Sequence, residues 1–427
     1  MLLYAKKSRR VLFSGIAIFF LLGLMYSWSV FVTPLEYEFG WTRNQTSGIY
    51  TVFFTCFQLG IMFCGIITKY TSDRFTAFAG LALVVSGLCL CFFTKALIWL
   101  YIFYGTFCGL GIGICNNAWI GKIFRWFPEK KGSASGLLLL GFGIGGMACG
   151  SIASAIIYSP VGWRFTFLIF GFAILAVGGI SMISFIPAPS EMRGSAPSEA
   201  EREKVTVEAQ SIKKRPSVSP AVMLRQGCLW TFLFWKGMNF TLCAAIAGQT
   251  AMIANDTGAA VSTAALAIGV LSIGNGSGRI LIGLLSDRIG VGRTMTLISA
   301  VLIALSIVLF LGYERSLMFI LLCSIAVLGI CYGGITLTAP NYISSVFGDE
   351  NFTVNNGISA LTVIPFLLLN SQGISIIKTQ TGSYSPFFLL MTVMSVCTVT
   401  AAIATPALIR RMDARLSDGG DSKVFRR

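Results

Sequence analysis

A succession of apolar stretches, each about 20 residues long, most constrains how this chain can fold. A helix needs about 20 apolar residues to cross the hydrocarbon core of a bilayer. Twelve such stretches lie near residues 11–34, 45–67, 76–94, 97–121, 132–158, 163–186, 227–254, 261–285, 294–312, 317–341, 353–377 and 385–409. Only 11% of the residues are charged, against about 25% in soluble domains. The sequence predicts an all-α membrane protein with twelve transmembrane helices.

A single long polar segment, residues 187–220, interrupts this pattern after the sixth stretch. It is rich in Pro, Ser, Glu and Lys, a composition typical of a solvated linker. We therefore expect an N-terminal six-helix half (1–186), a cytoplasmic linker (187–224), and a C-terminal six-helix half with a short cytoplasmic tail (225–427). The halves repeat weakly, which is typical of secondary transporters with a substrate site between two halves near the middle of the membrane.

Lys and Arg are concentrated in alternate loops, such as those at 6–10, 122–131, 213–215 and 410–415. The positive-inside rule then places both termini in the cytoplasm, and we expect a bacterial inner membrane location. An acidic loop at Asp349 and Glu350 goes against this trend. Although the net charge is +15, the cations do not form one face of a soluble domain, so no nucleic-acid partner is expected.

The side chains that most enzymes and metal sites depend on are missing from this sequence. It contains no histidine, and its 12 cysteines lie singly in apolar stretches without a Cys-x-x-Cys pair. Histidine is the commonest metal ligand and general base, and paired cysteines mark zinc sites or disulfides. We therefore expect neither an enzyme nor a resident cofactor or metal.

The strongest local motif is GLLSDRIGVGR, from Gly283 to Arg293. It resembles the loop signature of the major facilitator superfamily, Gly-x-Leu-x-Asp-Arg-x-Gly followed by Arg. The resemblance implies that superfamily's fold, two pseudo-symmetric six-helix halves. It also implies a conformational gate made of Gly283, Asp287, Arg288, Gly290 and Arg293. The first-half copy, residues 65–75, has Lys69 where the family has Asp, so a symmetrical gate is not expected.

Four further stretches, 26–45, 123–137, 162–167 and 275–290, resemble the oxalate/formate antiporters and monocarboxylate transporters. In that group, an arginine eight residues before the loop aspartate binds the substrate carboxylate, and Arg279 occupies this position. Val363 stands where oxalate-type members have a lysine, and Asn275 stands where proton symporters often have an aspartate. The resemblance therefore implies a monocarboxylate such as formate, lactate or pyruvate.

Arg279 is also unusual on physical grounds. It lies eight residues before Asp287, about 12 Å inside the membrane edge at 1.5 Å per residue. An arginine at such depth costs about 2.5–3.5 kcal/mol and normally faces a polar cavity. Its planar fork fits a carboxylate. The alternative is a structural pairing with backbone carbonyls.

Lys236 is the second deep cation. It either lines the pathway, replacing the lysine missing at Val363 or titrating in place of an aspartate, or it extends toward the cytoplasm as a snorkelling side chain. Neutral polar and aromatic groups in other spans complete the prediction. The predicted substrate-binding residues are Arg279, Lys236, Asn275, Asn117, Asn116, Tyr332, Tyr26 and Trp28.

These observations predict a secondary active transporter of a small organic anion that works by alternating access. It would act as an anion exchanger or as a proton-coupled carrier, and as a monomer. Two alternatives stay open: an exporter of drugs or other solutes from the same superfamily, and a transporter-like membrane sensor that signals through residues 187–220. A buried Arg279 disfavours the export of hydrophobic cations.

Overall fold

The computed structural model describes residues 2–187, 217–258 and 261–417. Most of the predicted linker lies outside these residues. Within them, every regular element is helical, and the helices form twelve long segments in chain order.

The N-terminal half contains the first six segments. The first is α1 (Leu2–Leu22), a 3-10 turn (Gly23–Ser27) and α2 (Trp28–Phe39), and the next two are α3 (Arg43–Tyr70) and α4 (Asp73–Cys91). The fourth begins as α5 (Leu97–Leu100), continues in wider π-type turns (Tyr101–Cys108) and ends as α6 (Gly109–Trp126). The last two are α7 (Lys131–Ile157) and α8 (Gly162–Ile183).

The C-terminal half begins with a short helix, α9 (Pro220–Leu224), before its six long segments. These are α10 (Gly227–Asp256), α11 (Val261–Ile289), α12 (Val291–Glu314), α13 (Met318–Phe347), the pair α14 (Phe352–Leu361) and α15 (Val363–Thr381), and α16 (Ser385–Ser417). Among the described residues, ten segments are long and apolar enough to cross a membrane. The other two are α10, which buries Lys236 and Asn239, and the interrupted α14–α15 pair.

Several helices extend beyond the predicted apolar stretches. The first was expected to begin near residue 11, but α1 begins at Leu2 and includes the basic residues that follow it. Local sequence explains where others begin and end. Thr42 and Gln45 form a capping box at the start of α3, which satisfies free N–H groups of the first turn. Gly290, at φ +84°, allows the sharp turn from α11 into α12.

The two halves pack against each other along two helix pairs, α11 with α7 and α14 with α3. Both contacts depend on glycine. A Cβ atom at Gly136 of α7 would lie 2.5 Å from the carbonyl oxygen of Arg279 in α11, and one at Gly65 of α3 would lie 2.6 Å from the Cα of Val354 in α14. Small residues therefore let the helices approach to backbone contact.

Candidate functional site

A cavity of about 1290 Å³ lies between the two halves. Its wall contains residues from both halves, including the 3-10 turn of the first segment, α3, α6, α7, α10, α11, α13 and α14. Six of the eight predicted substrate-binding residues line it: Tyr26, Asn116, Lys236, Asn275, Arg279 and Tyr332. Residues that the sequence places in distant segments thus converge on one space.

Arg279 is held at the cavity wall, and one donor of its side chain is left without a partner among the described residues. The residue is 4% exposed. Its Nη1 donates to the carbonyl oxygen of Leu139 in α7, and its Nη2 lies 3.4 Å from the hydroxyl of Tyr26. Its Nε has no hydrogen-bond partner among the residues that the structure describes. Because Nε and Nη2 share one edge of the guanidinium, that edge can donate two parallel hydrogen bonds to a carboxylate.

Lys236 is 8% exposed and lines the same cavity. Its Nζ donates to the carbonyl oxygen of Ser359 at 2.9 Å and to the Ser359 hydroxyl at 3.2 Å. Ser359 lies in α14, one helical turn before Val363, which also lines the cavity. The ammonium group therefore reaches the part of the eleventh segment where the oxalate-type resemblance places a lysine.

Aromatic side chains surround the arginine. The Arg279 Cζ lies 6.0 Å from the Tyr26 ring centroid, and the Tyr26 ring meets Phe142 edge-on at 6.3 Å. Tyr332, which also lines the cavity, packs on Phe240 with the ring centroids 5.4 Å apart. Rings exclude water from around the cation, which strengthens any hydrogen bond that it makes to an anion.

Asn116 and Asn275 give the wall further polar groups. Asn116 is buried, and its Oδ1 has no hydrogen-bond partner within the described parts of the chain. Asn275 lies one helical turn before Arg279 on α11 and lines the cavity with it, as residues four apart on a helix share a face. Both amides are placed to contact a polar cargo.

Two predicted ligands lie elsewhere. Asn117 does not line the cavity. It donates to the carbonyl oxygens of Ile61 and Thr353, both at 2.8 Å, and accepts from Asn356 at 2.9 Å. Trp28 donates to the carbonyl oxygen of Thr46 at 3.1 Å and packs inside the N-terminal half. Asn117 links the halves and Trp28 packs in the core of the N-terminal half, so neither lies on the described wall of the cavity.

Asn117→Ala should lower thermal stability without changing the affinity for cargo. The substitution removes three hydrogen bonds and leaves buried polar partners unsatisfied, at about 1–3 kcal/mol for such a group. Thermal unfolding in detergent measures the first effect, and the half-saturating concentration for uptake measures the second. Asn116→Ala is the matched control in the next residue, and it should show the reverse pattern. A large change in cargo affinity for Asn117→Ala would contradict this assignment.

The residues of the predicted gate lie where α11 meets the start of α7. Asp287 accepts hydrogen bonds from the backbone N–H groups of Gly132 and Ser133, both at 2.8 Å, and from the Ser133 hydroxyl. A carboxylate at a helix N-terminus is stabilised by the free N–H groups and the helix dipole. Gly283 permits this contact, since its added Cβ would lie 2.4 Å from the Gly132 carbonyl oxygen.

Arg288 and Arg293 are exposed, as Asp287 is, but neither forms an ion pair with any residue in the described ranges. A nearby cation, Lys131, forms an ion pair between the two halves. The Lys131 Nζ lies 2.8 Å from the Asp349 carboxylate and 2.7 Å from the Ser344 hydroxyl, both in the other half. Asp349, in the acidic loop that departs from the charge trend, is therefore the ion-pair partner of a cation in the other half.

At the first-half counterpart of the gate, the contact between the halves is made by neutral side chains. Lys69 is exposed, and the contact at this place is between the hydroxyls of Thr68 and Thr353, 3.1 Å apart. The asymmetry expected from Lys69 is therefore present in the structure.

The contacts between the halves close one end of the cavity. The links made by Asp287, Lys131, Thr68 and Asn117 all lie toward the face that carries the start of α1 and the end of α16, which we call the chain-end face. On α7, by contrast, the cavity wall continues from Leu139 to Ala155, close to the other end of the helix. Among the described residues, the cavity is thus closed toward the chain-end face, and its wall continues toward the opposite one.

Sequence reasoning missed other residues that line the cavity, among them Tyr50, Gln58 and Asn356. Tyr50 and Gln58 are eight residues apart on α3 and share a face with Phe54, a spacing visible in the sequence. Gln58 donates to the carbonyl oxygen of Ala360 in the other half at 3.3 Å. Polar residues at helical spacing inside an apolar stretch were the signal that could have found them.

Comparison with known proteins identifies the family. The sequence model of the Major Facilitator Superfamily matches residues 13–363, which is most of the chain. The chain belongs to this superfamily. It is therefore a multi-pass integral membrane transporter rather than an enzyme.

Superfamily members with curated sequences are distant relatives. An uncharacterised transporter of Escherichia coli (strain K12), YhjX, is 25% identical over 350 residues, covering 79% of this chain and 80% of that protein. The oxalate:formate antiporter of Oxalobacter formigenes is 27% identical over 354 residues, covering 78% and 76%. Monocarboxylate transporter 12 of Xenopus laevis is 27% identical over 147 residues, covering 34% and 31%.

Solved superfamily structures share the fold across nearly the whole chain. The E. coli fucose:proton symporter has a TM-score of 0.67 at 12% identity and covers 92% of this chain and 98% of its own. A double-Trp mutant of XylE has a TM-score of 0.72 at 13% identity and covers 93% and 96%. These similarities confirm the predicted architecture of two six-helix halves.

Proposed function

We propose that this chain transports a small organic anion, a monocarboxylate such as pyruvate, lactate or formate, by alternating access. Arg279 carries the proposal. It is a buried cation at a cavity between the halves, fixed through Nη1 to Leu139, with an edge that holds the unpartnered Nε aligned for a carboxylate. A guanidinium fixed in this way has already lost its conformational freedom, so binding an anion costs less entropy.

The charge of the cavity supports an anionic cargo. Its described wall includes two cationic side chains, Arg279 and Lys236, and no Asp or Glu. In a space partly shielded from water, two cations attract an anion and repel a cation. This observation disfavours an exporter of cationic drugs. The relatives that are named for carboxylate transport support the same cargo class.

Exchange of one anion for another is the coupling that we favour. A proton symporter needs a group at the cargo site that gains and loses a proton, and the described cavity wall offers no carboxylate for this role. Lys236 is the candidate for a proton-coupled alternative, because its amino group lines the cavity and can carry a proton. We further place the chain-end face in the cytoplasm of a bacterial inner membrane, following the basic loops on that face.

Transport into proteoliposomes tests the proposal. Vesicles that contain the purified protein should take up radiolabelled pyruvate, lactate or formate, and uptake should accelerate when the vesicles are preloaded with unlabelled anion. Imposing a pH gradient across empty vesicles separates proton coupling from exchange. Absence of uptake for all three anions under every gradient would contradict the proposed cargo class.

Lys236→Met should reduce the affinity for the anion about tenfold while preserving the fold. Methionine keeps the length and apolar stem of the lysine but removes the charge, and a partly shielded charge contact contributes on the order of 1–2 kcal/mol. The half-saturating concentration for uptake measures the change. Ser359→Ala serves as the control, because it removes one hydrogen bond of the ammonium group and leaves the cation. Equal kinetics for Lys236→Met and the wild type would exclude a cargo role for Lys236.

A further inference from the structure

Gly143 lies in the middle of α7, and helix packing does not account for a glycine at this position. Packing does require Gly136, Gly141 and Gly145 of the same helix, since a Cβ at each would lie 2.5, 2.9 and 1.8 Å from a backbone oxygen of a neighbouring helix. Among the described residues, a Cβ at Gly143 would meet only the Cα of Gly276, at an ordinary 3.5 Å. Because glycine is one of the least favourable residues inside a helix, the free space at Gly143 needs another explanation.

Gly143 lines the cavity between the two halves, beside the point where Arg279 is anchored. The Nη1 of Arg279 donates to the carbonyl oxygen of Leu139. In an α-helix this oxygen also faces the N–H group four residues later, which belongs to Gly143. Across the interface, Gly276 lies one turn before Arg279 on α11. A helical side chain covers the turn that precedes it, so a longer side chain at Gly143 would extend over the surroundings of Arg279.

The space in front of Gly143 has apolar walls and a cationic end. Phe142, Gly143 and Met147 line the cavity from one face of α7. Tyr26, which also lines it, has its ring centroid 6.3 Å from that of Phe142. At the end of this space Arg279 is 4% exposed, and its Nε has no partner in the part of the chain that the structure describes. Apolar walls that lead to one cation fit a carboxylate that carries a carbon chain.

We propose that Gly143 is a specificity-determining residue, which keeps space for the carbon chain of the cargo next to its carboxylate. The inference rests on the proposed function and narrows its cargo class to monocarboxylates larger than formate. The carboxylate binds Arg279, and the chain attached to it lies over Gly143. A methylene group that fits or fails to fit an apolar site changes specificity about tenfold or more.

Inhibition of uptake by a graded series of anions tests this assignment. Proteoliposomes take up whichever labelled monocarboxylate the wild type transports, and unlabelled formate, acetate, propionate or butyrate competes with it. The wild type should bind propionate and butyrate about tenfold or more tightly than formate. Gly143→Val should weaken the binding of propionate and butyrate about tenfold or more, and that of formate less than about threefold. Gly143→Ala should shift the same ratio in the same direction by about threefold, without lowering thermal stability.

Gly248→Val is the matched control. Gly248 lines the same cavity from α10, and a Cβ there would meet no atom of the described residues within 4 Å. At 1.5 Å per residue, it lies about 30 Å from the start of α10 at the chain-end face, whereas Arg279 lies about 15 Å from the end of α11 at that face. This variant narrows the cavity far from the carboxylate, so it should keep the wild-type ranking of the four anions.

Two results would overturn the inference. One is a wild type that binds formate as tightly as butyrate, and the other is a Gly143→Val variant that weakens all four anions equally, which would indicate a displaced Arg279 rather than lost space. If the valine variant does not fold, the same comparison with Gly143→Ala decides the test. A folded wild type that takes up no monocarboxylate would instead contradict the proposed function.

Discussion

Arg279→Ala should lower the rate of anion uptake into proteoliposomes on the order of 100-fold or more at subsaturating substrate. Removing one partner of a shielded, hydrogen-bonded charge pair costs about 2–5 kcal/mol, and each 1.4 kcal/mol is a factor of ten in affinity. The alanine variant loses the Nε and Nη2 donors together with the charge. The loss should therefore appear first as a raised half-saturating concentration.

Two further variants make this result specific. Arg279→Lys keeps the positive charge but loses the planar fork, and it should fall between the wild type and the alanine variant. Arg315→Ala removes an exposed arginine from the loop between α12 and α13 and should transport normally. If Arg279→Ala folds and transports with unchanged affinity, the proposed carboxylate site is wrong.

Gly132→Val should abolish transport by preventing closure of the chain-end face. Gly132 is the second residue of α7, and an added Cβ would lie 2.4 Å from the Gly283 carbonyl oxygen and 2.7 Å from an Asp287 carboxylate oxygen. A backbone oxygen cannot move away as a side-chain end can, so α7 and α11 must separate at this point. The closed state would be lost and, with it, one of the two states that alternating access requires.

Cysteine labelling from each side of the membrane measures this change. In a background without native cysteines, Thr353→Cys reports on the closed interface, since Thr353 is 6% exposed. Its labelling should rise when Gly132→Val is added. Gly179→Val on α8 is the matched control, because a Cβ at Gly179 meets no atom within 4 Å. Unchanged labelling together with normal transport would show that the α7–α11 contact is not a gate.

The architecture could be predicted from sequence because membrane insertion leaves a strong pattern. Twelve apolar stretches separated by alternately basic loops determine the helix count, and a membrane span is almost obligatorily helical. The position of Arg279 at a cavity could also be predicted from the sequence, since a permanent charge at that depth requires polar surroundings. Asn275 was predicted from the family resemblance and from its position one helical turn before Arg279, and both residues line the cavity.

Which of two neighbouring residues points into the cavity could not be predicted in the same way. Asn116 and Asn117 are adjacent in the sequence, yet only Asn116 lines the cavity, while Asn117 is bound by α14 residues more than 230 positions away. Successive residues on a helix point about 100° apart, so a small rotation of α6 exchanges their surroundings. Only the packing of the two halves determines that rotation.

Ion pairs between residues that are far apart in the sequence could not be predicted from sequence patterns either. Asp349 departs from the basic trend of its face, and nothing near it in the sequence explains the departure. Its partner is Lys131, 218 positions earlier. An acidic residue that departs from the charge trend of its face is therefore a useful sign of an ion pair formed by folding.

The hydrogen bond from Arg279 to Leu139 joins the proposed binding group to the opposite half of the transporter. The arginine therefore lies at the α7–α11 interface, which must separate when the chain-end face opens. Ligand occupancy and the equilibrium between the two states are then thermodynamically linked, and linkage is reciprocal. An anion bound by Arg279 shifts that equilibrium. In turn, each opening of the α7–α11 interface changes the affinity of the same side chain for the anion.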